Sequence, residues 1–119
     1  MPDGLTANNE ATPIEMLPGI VRRTLSEGAR TTLCELHMSK GSHVPSHTHP
    51  HEQTGYLASG RLRFRLGATW RELSAGDSWC VPGDVEHEVE TLEDSIAIDV
   101  FSPVRDEYRD PNFVSTSVN

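Results

Sequence analysis

GSHVPSHTHPHEQTGYLASG, residues 41–60, is the stretch on which the reading of this chain turns, because four of the chain's six histidines fall between His43 and His51. His47 and His49 are separated by one residue, and in an extended strand that spacing puts both imidazoles on one face. Two nitrogen donors then converge on one point. Gln53 follows a short bend through Pro50, His51 and Glu52, which can bring its carbonyl oxygen to the same place. A fourth ligand has to come from another strand. His87, isolated from the rest, is the natural candidate, with His43 and His51 competing for the position.

On either side of this stretch the pattern is that of short strands. In RLRFRL, residues 61–66, Leu62, Phe64 and Leu66 alternate with Arg61, Arg63 and Arg65, so the apolar row faces a core. The arginine row is expected to be a solvated face with acidic partners, outside any site. Ser78–Val81 is a further strand, and Pro82-Gly83-Asp84 turns the chain toward His87. There His87 shares a face with Val85 and Val89, and Glu86, Glu88 and Glu90 lie opposite. In Ser95–Phe101, Ile96, Ile98 and Val100 oppose Ala97, Asp99 and Phe101. Asp99 between two apolar residues is an acid that can face a metal. Upstream, Gly19–Leu25 and Arg30–Met38 read as two more strands, with His37 on the face away from the apolar row. Ser102-Pro103 ends the last strand, and Val104–Arg109 is expected to form a helical turn capped by Ser102.

Length and composition narrow the classes. The chain has 119 residues, enough for one domain with a core of its own. Residues 1–13 are expected to be an N-terminal arm, 14–110 the folded domain and 111–119 a polar tail. Nine glycines, eight prolines and frequent turn signals point to an all-β sandwich or barrel. A formal net charge of −8 argues against a nucleic-acid partner, which needs a basic footprint, but leaves an anionic small substrate open. No apolar run is long enough for a bilayer and no signal segment opens the chain, so no membrane partner and a cytoplasmic location are expected. Cys34 and Cys80 sit in apolar stretches and are expected to be buried reduced thiols, with a catalytic thiol as the alternative.

Gly41, five residues, His47-x-His49, three residues, Gln53, six residues and Gly60 form one spaced pattern; Gly76, Pro82 and His87 form a second. Together these resemble the two motifs of the cupins. The chain departs from them at Gln53, where the family usually has Glu, at Asp84, where it has Gly, and at Thr91, where it has Asn. The first departure keeps an oxygen ligand but removes a negative charge, which leaves a bound metal more electrophilic. The cupin resemblance implies a double-stranded β-helix, or jelly-roll, barrel.

From Pro13 to Asp110, and above all in HTHPHEQTGYLASG and DVFSPVRDEY, the chain is similar to the small KdgF-type cupins of pectin degradation. Members of that group convert 4,5-unsaturated monouronates from pectin or alginate breakdown into linear keto sugars. The resemblance implies His47, His49, Gln53 and His87 as ligands of one divalent transition metal, whether Zn, Ni, Fe, Mn or Cu. It also gives Asp99 and Arg105 catalytic places, and Phe101 and Arg105 contact with a small anionic sugar-like substrate. Two other classes fit the ligand set: a metal-dependent dioxygenase, and a non-catalytic cupin that binds a small acid or sugar. The apolar row Ile96, Ile98 and Val100, with the N-terminal arm, leads to the expectation of a homodimer.

Overall fold

A computed structural model describes residues 4–110 and residue 113. Ten strands account for most of it: β1 (Ile14–Leu17), β2 (Ile20–Glu27), β3 (Thr32–Met38), β4 (His43–His47), β5 (Glu52–Ser59), β6 (Arg61–Leu66), β7 (Thr69–Ser74), β8 (Ser78–Val81), β9 (His87–Thr91) and β10 (Ser95–Ser102). They form a six-stranded sheet in the order β1-β2-β3-β10-β5-β8 and a four-stranded sheet in the order β4-β9-β6-β7. All pairings are antiparallel. Strands β5, β6, β8, β9 and β10 bury alternate residues, as the period of two requires. On β10, Ser95, Ala97, Asp99 and Phe101 are buried while Ile96, Ile98 and Val100 are only half-buried.

The expected barrel is not what forms. The two sheets face each other as separate layers, and among the described residues no ladder joins the edge strands β1 and β8 of one to β4 and β7 of the other. The cause lies in how the chain crosses between layers. It changes sheet six times, at Gly41, at Pro50, at Gly60, at Gly76, at Pro82-Gly83 and at Leu92-Glu93-Asp94; at the first five, proline lacks an N–H or the backbone bends too sharply to continue a ladder. Gly60 shows the demand most clearly: its φ is 94°, and a Cβ there would lie 2.1 Å from the Ser95 hydroxyl. The fold is therefore an all-β, two-sheet cupin-like sandwich.

Between the layers, Leu57, Leu62, Phe64, Trp79 and Val81 are all less than one-tenth exposed. Each large apolar side chain removed from water here contributes roughly 1.5–3 kcal/mol. Outside, Arg61 pairs with Glu72 and Glu93, Arg63 with Glu90, and Arg65 with Glu86 and Glu88, the solvated face expected from the sequence. His37 is likewise exposed, beside Glu35.

Two local expectations change, at Cys80 and at the last helical turn. Cys34 is fully buried as expected, and burial pushes its thiol up to about 12. Cys80 is exposed, because the alternation of β8 turns Trp79 and Val81 inward. The last helical turn is a 3-10 turn at Asp106–Arg109 that begins after Arg105, so Ser102 is not its cap; the Ser102-Pro103 peptide is cis. Strand β1 carried no sequence signal of its own. Preceding it, a 3-10 turn at Asn8–Glu10 is tied to the sheet by Asn8 donating to Glu35. The first three residues of the expected arm, and the expected tail apart from Phe113, lie outside the described residues.

Candidate metal centre

His47 ends β4 and stands opposite His87 of β9 in the strand register, with ring centroids 4.1 Å apart. His49 is not on the strand. It sits in the loop that carries the chain from one sheet to the other, where its carbonyl accepts the Asp84 backbone N–H at 2.8 Å. Asp84 has φ of 65°, the sole non-glycine left-handed residue among those described. That conformation explains why glycine is usual at this motif position and why Asp, which tolerates it better than most residues, can replace it. Gln53 comes in from β5 and is buried.

The three imidazoles are oriented alike. Each Nδ1 lies beside a backbone carbonyl two residues away: His47 to Pro45 at 2.8 Å, His49 to His51 at 3.0 Å, and His87 to Val85 at 3.0 Å. Donation from Nδ1–H assigns the tautomer and leaves every Nε2 with a bare lone pair. The ligating atoms of the three rings lie within 4.8 Å of one another. The Nε2 of His87 is buried without any hydrogen-bond partner.

Gln53 completes the set. Its Oε1 stands 3.0 Å from His49 Nε2. With the His49 proton on Nδ1, two acceptors face each other across a hydrogen-bond distance, an arrangement that a shared cation resolves. An imidazolium is the other way to resolve it, but burial, with Arg105 and His47 nearby, lowers His49 to about 4. Burial with His47 lowers His87 to about 4 as well, and burial lowers His47. Neutral, deprotonated Nε2 atoms are what a divalent metal takes. The residues present therefore fit one divalent metal ion, and their donor types are compatible with Zn, Fe, Ni, Cu and Mn.

A cavity of about 80 Å³ between the sheets runs from His47, His87 and Gln53 to Asp99, Phe101 and Arg105. Asp99 is 3% exposed and accepts the Trp79 indole N–H at 2.8 Å and a hydrogen bond from Gln53. Burial pushes its carboxyl up to about 6 against the opposing pull of those donors and of Arg105. Arg105 is also 3% exposed. Its guanidinium lies 4.8 Å from the Phe101 ring and 4.3 Å from the Tyr108 ring, with Glu107 at 3.4 Å. The edge of the Phe101 ring meets His49, at a centroid separation of 5.8 Å.

Of the seven residues expected in the site, His47, Gln53, His87, Asp99, Phe101 and Arg105 line this cavity, and His49 lies beside it against His87, Gln53 and Phe101. The competing histidines do not join the cluster: His43 is exposed and bound to Glu88, and His51 offers its carbonyl to His49. Sequence reasoning missed Trp79, Gly55, Arg22 and Tyr108. Gly55 leaves the room in which Trp79 and Asp99 meet, since a Cβ there would lie 2.0 Å from the indole nitrogen. Arg22 is 2% exposed and lies 4.3 Å over Tyr108. Alternation could have turned Trp79 inward, but nothing in the sequence pairs it with Asp99.

A Cupin domain matches residues 34–101, more than half of the chain, and the chain belongs to the cupin family. Within it, the chain is 31% identical to KdgF from Halomonas sp., over 87% of this chain and 97% of that one, with a TM-score of 0.82. It is 26% identical to an RmlC-like cupin from Shewanella frigidimarina NCIMB 400, over 87% and 94%, with a TM-score of 0.83. A predicted oxalate decarboxylase from Thermotoga maritima, 18% identical over 83% and 98% at a TM-score of 0.71, shares the fold. No curated protein sequence matches. The chain is thus a cupin related to KdgF, with a buried three-histidine centre suited to metal-dependent chemistry. No helix among the described residues is long and apolar enough to cross a membrane.

Proposed function

We propose that this cupin opens the ring of 4,5-unsaturated monouronates of the kind released from pectin or alginate, giving linear keto sugars. The observation that carries this reading is the joining, in one buried cavity, of a metal-binding donor set with an acid and a guanidinium. The similarity to the Halomonas KdgF supports the same direction. His47, His49, Gln53 and His87 hold the ion, which when bound supplies Lewis acidity toward a substrate oxygen.

The remaining work falls to the chain's own groups. Arg105 grips the substrate carboxylate through two parallel hydrogen bonds, held in place by the rings of Phe101 and Tyr108. Phe101 forms the apolar wall that keeps bulk water from that carboxylate. The substrate is an enol ether: C4 gains a proton, a water oxygen adds at C5, and the hemiketal collapses as the bond from C5 to the ring oxygen breaks. Asp99, poised near 6, gives the proton to C4 and recovers one from the adding water, and on collapse the hemiketal hydroxyl proton passes to the departing ring oxygen. The protein works on this small anion in the cytoplasm, as a homodimer packed through Ile96, Ile98 and Val100.

Metal-loaded protein mixed with unsaturated galacturonate tests the reading by ultraviolet absorbance. The conjugated double bond is expected to disappear with formation of a keto product. Steady absorbance with metal present and no product would refute it, and oxygen uptake in an electrode would favour a dioxygenase.

A further inference from the structure

Seen from its metal-facing end, Gln53 presents a problem that a carboxylate would not. The two ends of an amide have nearly the same shape, yet only the oxygen can ligate a cation, while the NH2 repels it. Something on the other side must choose. That neighbour is Asp99, which accepts a hydrogen bond from Gln53 and another, at 2.8 Å, from the Trp79 indole. An ionised carboxylate only accepts and an indole N–H only donates, so the polarity of the chain is forced. Trp79 gives to Asp99, Gln53 gives its NH2 to Asp99, and the Gln53 oxygen is left pointing at His49 Nε2, 3.0 Å away.

The surroundings leave little freedom. Gln53 is 8% exposed, Trp79 8% and Asp99 3%. In the strand register Gly55 lies between Asp99 and Trp79, and a Cβ on it would approach the indole nitrogen to 2.0 Å and the Asp99 Oδ1 to 2.4 Å. The indole ring is itself stacked on Phe64 at 5.2 Å. A glutamate at position 53 would instead set two buried carboxylates side by side.

We propose that Trp79 and Asp99 are positioning residues that select the metal-facing end of Gln53, so that Asp99 and Gln53 act as one unit. The proposal rests on the reading that Gln53 and the three histidines hold the metal, and it gives Asp99 a task separate from proton transfer. Replacing Asp99 by Asn puts an NH2 against the Gln53 NH2, turns the amide over and removes the oxygen ligand. In a protein with Glu at 53 the same replacement does no such harm, because both carboxylate oxygens ligate and the Asn NH2 has an acceptor.

The test is a cycle of Zn2+ affinities, measured by chelator competition on the full chain: wild type, Asp99→Asn, Gln53→Glu, the double variant, and Trp79→Phe. Asp99→Asn is expected to weaken Zn2+ binding about 10- to 100-fold in the Gln53 background, the usual effect of losing a group that orients a ligand. With Glu at 53 it is expected to cost nothing. Trp79→Phe, which keeps the ring on Phe64 and loses only the N–H, is expected to weaken binding less than Asp99→Asn does. The double variant should bind Zn2+ yet turn over no substrate, which separates orientation from proton transfer. Equal effects of Asp99→Asn in both backgrounds, or none with Gln at 53, would overturn the proposal while leaving the metal centre standing. Unchanged Zn2+ binding in His87→Ala would overturn both together. Thermal melting of each variant identifies any that fails to fold, and the Trp79→Phe result then decides.

Discussion

The outer face of the four-stranded sheet and the cavity between the two sheets both hold arginines and carboxylates, and they treat charge in opposite ways. Outside, Arg61, Arg63 and Arg65 each find at least one glutamate, and most of these pairs remain bathed in solvent. In high dielectric such pairs contribute little to stability. Inside, Asp99 and Arg105 are nearly inaccessible, three imidazoles are crowded together, and burial moves the carboxyl to about 6 and two of the histidines to about 4. Water is what separates the two regions: where it is excluded, a few polar groups cannot be neutral bystanders, and a ligand or metal is what satisfies them.

The comparison breaks most visibly at His87. Its replacement by Ala is expected to reduce bound metal to background and abolish turnover, measured by metal analysis and ultraviolet assay of the same sample. Arg105→Lys keeps the charge but loses the planar fork, and kcat/KM is expected to fall about 10- to 100-fold, as for a hydrogen-bonded charge removed from a buried partner. An undiminished value would take Arg105 out of the carboxylate contact. Gly55→Ala forces a Cβ into the space shared by Trp79 and Asp99, with an expected cost of about 1–3 kcal/mol by denaturant unfolding.

Acid should expose the same contrast in protein stripped of metal. His49 and His87 are lowered from 6.5 to about 4, so the stability they contribute is complete above pH 6.5 and is lost as pH falls toward 4. Asp99 is raised from 3.8 to about 6, so its contribution is complete below 3.8 and lost as pH rises through 6. The histidines, with His47 shifted the same way, outnumber the acid, and Tm is expected to rise from pH 4 to 6.5. A Tm that falls over that range would contradict the burial of the cluster. The smallest effect belongs outside: Arg61→Ala is expected to change stability by less than about 0.5 kcal/mol and leave turnover untouched.

How much of this was legible beforehand varies residue by residue. The alternation in RLRFRL placed Leu62 and Phe64 inside and the arginines outside; that of SIAIDVF only set Asp99 on the face opposite Ile96, Ile98 and Val100, and the tertiary structure buries that face. The spacing of His47, His49, Gln53 and His87 marked the donors, although His49 reaches the cluster from a loop and not from a strand. Cys80 went the other way because apolar surroundings in sequence do not say which face of an edge strand is covered. Closure into a barrel was inferred from resemblance, and the glycine and proline crossings between layers interrupt it.

Local pattern by itself determined most of the strands, which residues of each share a face and the residue types able to ligate a metal, because a period of two and a donor atom are properties of neighbouring residues. Tertiary structure alone decided that two sheets remain separate and that Trp79 reaches Asp99 across Gly55. It alone decided which nitrogen of each imidazole is left bare. Those outcomes depend on contacts between residues far apart in the chain and on the exclusion of water, and neither is written in any one segment.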